Sequence, residues 1–243
     1  MRLQESGVGS AVGTGVARRI FAGIAALGLL LFSAAAMASL VAAGSSVLLS
    51  GTTATADPAL DGTVLQNVIS PFSVSLGTGS VVQGYVEDSV VRETATGTLD
   101  FYYSVVNGTD PDGCSENSSG SIGVVQRSGF SGFTTDANYR LDSSGTIAPS
   151  AASRSADGNM LLFGFLAGPV GPDEASRSFF VRTNAISYND FGTATLIGFN
   201  AQGGFGETQL TAFQPVPLPP AQGLFAAGAL ILLALSRRRG VRC

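Results

Sequence analysis

Between Gly62 and Phe213 no apolar pattern follows a helical 3.6-residue spacing for more than about ten residues. Short runs instead alternate apolar and polar, and Gly, Asn-Gly, Asp-Gly and Pro clusters interrupt them. Side chains of period two point to opposite faces of a strand. Leu99, Phe101, Tyr103 and Val105 therefore share one face. Phe179, Val181, Thr183 and Ala185 share another, opposite Phe180, Arg182, Asn184 and Ile186. The pattern predicts strands over 64–69, 72–76, 81–91, 98–106, 121–126, 160–166, 178–187, 194–199 and 208–213. Residues 107–121 and 142–159 are polar and rich in Gly and Ser, and read as long loops. No internal repeat is present. Spacing and turn chemistry together predict an all-β body, an antiparallel, jelly-roll-like β-sandwich over 62–213.

The composition removes whole classes of chemistry. The 243 residues include no His, no Trp and no Lys, so all 13 basic residues are Arg. Ser-His-Asp triads, Cys-His pairs, Schiff-base lysines, the P-loop lysine and His-ligated metals are excluded. Between Ser39 and Ala221 lie 16 acidic residues and six Arg, a net of −10. Such a surface repels phosphate backbones and anionic headgroups, so no nucleic-acid partner is expected.

Weaker motifs remain inside the body. Asn107, Asp110, Asp112 and Glu116 offer oxygen ligands in one loop and form a weak Ca²⁺ candidate. The spacing fails the EF-hand pattern, and the same residues are ordinary turn formers. Cys114 has one other Cys in the chain, Cys243 at its end. No zinc set, and no resident cofactor, follows from these residues. Asp88, Glu93, Asp100, Asp173, Glu174 and Glu207 could supply a carboxylate pair, although no two have a diagnostic setting.

Both termini read as addresses. Arg18 and Arg19 precede an apolar run, Ile20 to Phe32, and then small residues with an Ala-x-Ala at Ala36 and Ala38. This is the order of a secretory signal peptide, predicted over 1–38. An uncleaved anchor is the alternative. With cleavage after Ala38, 39–61 reads as a flexible linker; a second Ala-x-Ala at Ala54 and Ala56 could instead extend the signal to 56. At the other end, 214–243 holds a proline-rich stretch over 215–221 and an apolar segment over 221–236. The basic end, 237–243, contains Arg237, Arg238 and Arg239. Prolines set a hard start for the helix that follows. Its 16 residues span about 24 Å, short for a ~30 Å hydrocarbon core. The arginines should remain cytoplasmic.

Val216-Pro217-Leu218-Pro219-Pro220-Ala221, the apolar span and the terminal arginines resemble the PEP-CTERM sorting signal of Gram-negative bacteria, in its VPLPA variant. Leu218 stands where the parent motif has Glu, and one extra proline precedes Ala221. The stretches 98–105 and 178–185 and the closing Phe213-Gln214-Pro215 are loosely similar to segments of proteins carrying that tail. The resemblance implies processing by exosortase, an integral membrane cysteine peptidase, after passage through the secretion translocon. It also implies delivery from an inner-membrane precursor to the cell surface or exopolysaccharide matrix. The expectation is a non-catalytic structural or adhesive sandwich with extracellular polysaccharide as partner. One alternative is a carbohydrate-binding module using Tyr85, Tyr102, Tyr103, Tyr139 or Tyr188. Others are a carboxylate-dependent hydrolase and a plain tail-anchored protein.

Overall fold

A computed structural model describes residues 38–77 and 79–217. The expected signal segment, the apolar C-terminal segment and most of the sorting motif lie outside these residues. The described chain is all-β. Its strands are β1 (Ser39–Leu40), β2 (Ser46–Leu48), β3 (Gly62–Ser75), β4 (Val81–Glu93), β5 (Leu99–Asn107) and β6 (Ser121–Arg127). There follow β7 (Thr135–Tyr139), β8 (Ala151–Arg154), β9 (Leu161–Gly164), β10 (Phe179–Thr183), β11 (Tyr188–Phe199) and β12 (Phe205–Pro215). One 3₁₀ turn, Pro58–Leu60, interrupts them.

Two antiparallel sheets of six strands result. The first runs β1-β7-β10-β5-β4-β3 and the second β12-β11-β6-β9-β8-β2. One apolar cluster takes side chains from both. Phe101, Tyr103, Phe179 and Val181 come from the first sheet, and Ile122, Val125, Phe163 and Leu196 from the second. The Phe163 and Phe179 rings meet across the sheets at 4.7 Å between centroids. The alternation read at 99–105 is therefore the buried face of β5, with Leu99, Phe101, Tyr103 and Val105 all in the core.

Several boundaries differ from the sequence expectation, each for a physical reason. The runs 64–69 and 72–76 are one 14-residue strand, β3. Pro71 does not break it because β3 is a sheet edge, where a missing N–H costs no ladder bond. At its far end β3 comes so close to β12 that a Cβ on Gly206 would stand 2.1 Å from the Ser75 carbonyl oxygen. β7 and β8 were not expected. They are five and four residues long and largely polar, and β8 falls inside the expected loop 142–159.

The expected linker, 39–61, is a correction of another kind. β1 pairs with β7 and β2 with β8, so this stretch supplies an edge strand to each sheet. Val41, Leu49 and Leu60 are buried. Leu40-Val41 and Val47-Leu48-Leu49 are apolar runs too short for an alternating pattern to show, and the strands they form are only two and three residues long.

Candidate functional site

The outer face of the first sheet, away from the common core, is partly covered by residues 52–61. The Thr52 N–H donates to the Tyr139 carbonyl, and the Leu141 N–H donates to the Thr52 carbonyl. Nine residues on, the Thr94 N–H donates to the Asp61 carbonyl, just past the end of β4. The segment thus crosses from β7 to β4 as a strap. Asp57 starts its 3₁₀ turn, accepting from the Ala59 N–H, and Pro58 follows with its φ already set for a helical turn. Leu60 then packs on Tyr102 and Phe180, a second small apolar cluster whose two rings lie 5.3 Å apart.

A buried charge network holds the strap down. Arg182 of β10 donates through Nε to Glu93 at 2.9 Å and through Nη1 to Asp57 at 3.0 Å. Both carboxylates are buried. Burial alone would lower the Arg182 pKa, but the acidic neighbours Glu93, Asp100 and Asp57 together carry it upward. Beside them, Asp100 is 0% exposed, and no donor reaches either of its oxygens. Desolvation, with the neighbouring Glu93 charge second, pushes its pKa up to about 9. Asp100 therefore carries a proton at neutral pH. Asp136, opposite Arg182 on β7, is also raised, first by burial.

Next to the strap the same face opens into a groove of about 670 Å³. Its floor is β4 and β5, where Glu87 lies opposite Ser104 and Ser89 opposite Tyr102. Arg140 and Asp61 stand at its margins. Tyr102 is only 7% exposed, yet its hydroxyl makes no hydrogen bond. Burial raises its pKa and keeps it protonated. Arg140 faces that hydroxyl without completing a bond to it. Its Nε and Nη2 are committed to Asp142 at 2.6 and 2.9 Å, which holds the Asp142 carboxyl low, at about 2.

A third polar group lies inside the core. Arg127 donates to Asp88 at 2.7 Å, and its guanidinium sits 3.6 Å from the centre of the Tyr103 ring. Asp88 also accepts the Phe213 N–H from β12. This pair links the two sheets.

The residues singled out in the sequence fall in different places. Asn107 is fully buried; its amide nitrogen donates to the Gly120 and Val170 carbonyls, and its oxygen accepts from Ser118. It is a cross-link, so the weak Ca²⁺ set loses a member. Asp110 accepts the Asp112 and Cys114 N–H groups in an ordinary turn. Among the described residues no cluster of three or more acidic or thiol groups could hold a metal ion. Cys114 is an exposed free thiol. Tyr103 is a core residue, unable to offer its ring to a ligand, and Tyr139 and Tyr188 pack half-buried against the core. Of the possible catalytic acids, Asp88, Glu93 and Asp100 are buried in the networks above. Glu174 accepts the Gly171 N–H. Ala38, Val216 and Pro217 are described; Ala36, Leu218 to Ala221 and Arg237 to Arg239 lie outside the described residues.

Neither the strap network nor the groove was anticipated from the sequence. Two signals were there to read. Arg182 interrupts the apolar run Phe179-Phe180-Val181 and so needed a buried partner. Asp57-Pro58 is a helix-start pair inside the supposed linker. Comparison with protein families, curated proteins and solved structures finds no match for this chain.

Proposed function

We propose that this chain is an exported surface or exopolysaccharide-matrix protein, released from an inner-membrane precursor when exosortase reads its C-terminal tail. Its body would be a non-catalytic structural or adhesive module. The two six-stranded sheets, with aromatic side chains meeting between them, are read here as the halves of a β-sandwich. The β3-β4-β5 meander departs from a strict jelly roll, whose sheets are built from Greek keys.

The observation that carries this reading is the run Val216-Pro217-Leu218-Pro219-Pro220-Ala221 with its apolar and arginine-rich sequel. It begins where the described fold ends: β12 stops at Pro215, and the Val216 N–H donates to the Ser187 carbonyl. The non-catalytic reading draws on how the buried charges are used. Asp57, Glu93, Arg182, Asp88 and Arg127 are paired with one another, and Asp100 is sealed beside Glu93.

The test is mass spectrometry of the protein recovered from the envelope and medium of a host with an exosortase, and from the same host lacking it. Loss of Arg237–Arg239 only when exosortase is present supports the reading. Recovery of the intact basic end in every fraction overturns it.

A further inference from the structure

The groove beside the strap is built from groups that have not been used. The hydroxyls of Ser89, Ser104 and Ser178 line it, and none bonds to another of the described residues. The Tyr102 hydroxyl is buried without a partner. Glu87 receives the Asn67 amide on Oε1 only. Arg140 keeps Nη1 free of Asp142. A buried hydroxyl left without a partner is costly to the folded state. A folded protein retains that cost at Tyr102 while a row of open donors and acceptors faces the same space.

The chemistry of the lining selects among ligands. Asp61 and Glu87 are acidic, and Asp142 already neutralises the one guanidinium, so an anion is disfavoured. The backbone groups of β4 and β5 bond each other, so the floor offers no ladder to an extended peptide. Short hydroxyls, carboxylates and a tyrosine suit a ligand whose every polar group both donates and accepts. Pro58, Leu60 and Val91 add apolar surface on the strap side for C–H faces. The volume lies within the ~300–1,000 Å³ of small-ligand sites.

We propose that this groove binds a short neutral saccharide, with the Tyr102 hydroxyl and Arg140 Nη1 holding one end and Ser104, Ser89 and Glu87 the ring hydroxyls along the floor. The inference rests on the matrix reading only in that it names the chemistry of the partner. Its test reads the body, so failed tail processing and failed saccharide binding are separate results.

The experiment uses the full-length chain in a detergent without a sugar headgroup. Cellotetraose, xylotetraose, maltotetraose and mannotetraose are titrated by calorimetry and saturation-transfer NMR, with tetragalacturonate as the charged control. At least one neutral tetrasaccharide binds, and tetragalacturonate binds no tighter. Tyr102→Phe removes one oxygen that bonds nothing in the free protein. It weakens binding about fivefold, the worth of one hydrogen bond, and leaves the melting temperature unchanged or higher. Ser104→Tyr, at a half-buried position on the floor, fills the groove and abolishes binding. Silence from all four neutral sugars overturns the proposal. So do tighter binding of tetragalacturonate, or wild-type affinity in both variants.

Discussion

Arg182 Nη1 donates to Asp57 Oδ2 across 3.0 Å, joining β10 to a residue 125 positions earlier in the chain. That bond, with the one to Glu93, decides how the outer face of the first sheet is dressed. It places the strap over Tyr102 and Phe180, and the strap in turn forms one wall of the groove.

Replacing Arg182 with Met leaves Asp57 and Glu93 buried without a countercharge. Breaking a buried pair by removing one partner typically costs roughly 3–5 kcal/mol. Urea unfolding should show a loss of that order. Arg182→Lys should recover only part of it, because an ammonium cannot reproduce the guanidinium's fork toward two carboxylates.

Asp100 makes stability depend on pH in an unusual direction. Its folded pKa, about 9, lies above the ordinary carboxylate value, so the folded state binds the extra proton. The stabilisation is complete below about pH 4 and is lost as pH rises toward 9, by roughly 1 kcal/mol per pH unit. Asp142, held at about 2 by Arg140, acts oppositely, its contribution fading as pH falls below about 4. Stability should therefore peak in mildly acidic solution. Asp100→Asn should flatten the alkaline decline and stabilise the protein at pH 8. A decline of the same slope in that variant would remove Asp100 as its cause.

Arg127 and Asp88 form the core's own ion pair, and the Phe213 N–H depends on the same carboxylate. Arg127→Leu should destabilise by roughly 3–5 kcal/mol, since it strands a buried charge. Adding Asp88→Asn should restore more than half, because the amide oxygen still accepts the Phe213 N–H without a charge to bury. Chemical denaturation of the two variants side by side measures the difference.

Under the proposed export, the strands at 39–48 bear on where signal processing would leave the N-terminus. Processing after Ala38 leaves β1 and β2 in place, whereas processing after Ala56 would strip an edge strand from each sheet and remove Val41 and Leu49 from the core. N-terminal sequencing of exported protein should read Ser39-Leu40-Val41. A chain made to start at Asp57 should fail to give a cooperative melting transition.

Much of the fold was readable because a strand's period of two is local. Leu99 to Val105 and Phe179 to Val181 show their buried faces without reference to any other part of the chain. Turn residues marked the ends of most long strands, and Pro71 misled only because its strand lies at an edge, which no single segment reveals. β1, β2, β7 and β8 are too short for alternation to stand out, and their place comes from the neighbours that pair with them.

The candidate site was not readable in the same way. Asn107 looks, as sequence, like a loop oxygen ready for a cation; in the fold it ties three backbone and side-chain groups together inside the protein. Tyr102 and Tyr103 are adjacent and alike, yet one turns to the groove and the other to the core. Alternation puts them on opposite faces, but does not say that the outer face carries a strap and a groove. The sequence by itself determined the all-β character, the missing imidazole and amine chemistry, and the motif that follows β12. Only the tertiary structure decided that 39–61 belongs to the body, that Arg182 reaches Asp57 and Glu93, and that Tyr102 keeps an unused hydroxyl. Those outcomes depend on burial and on contacts between residues far apart in the chain, and such energies have no signature at the scale of a few neighbouring residues.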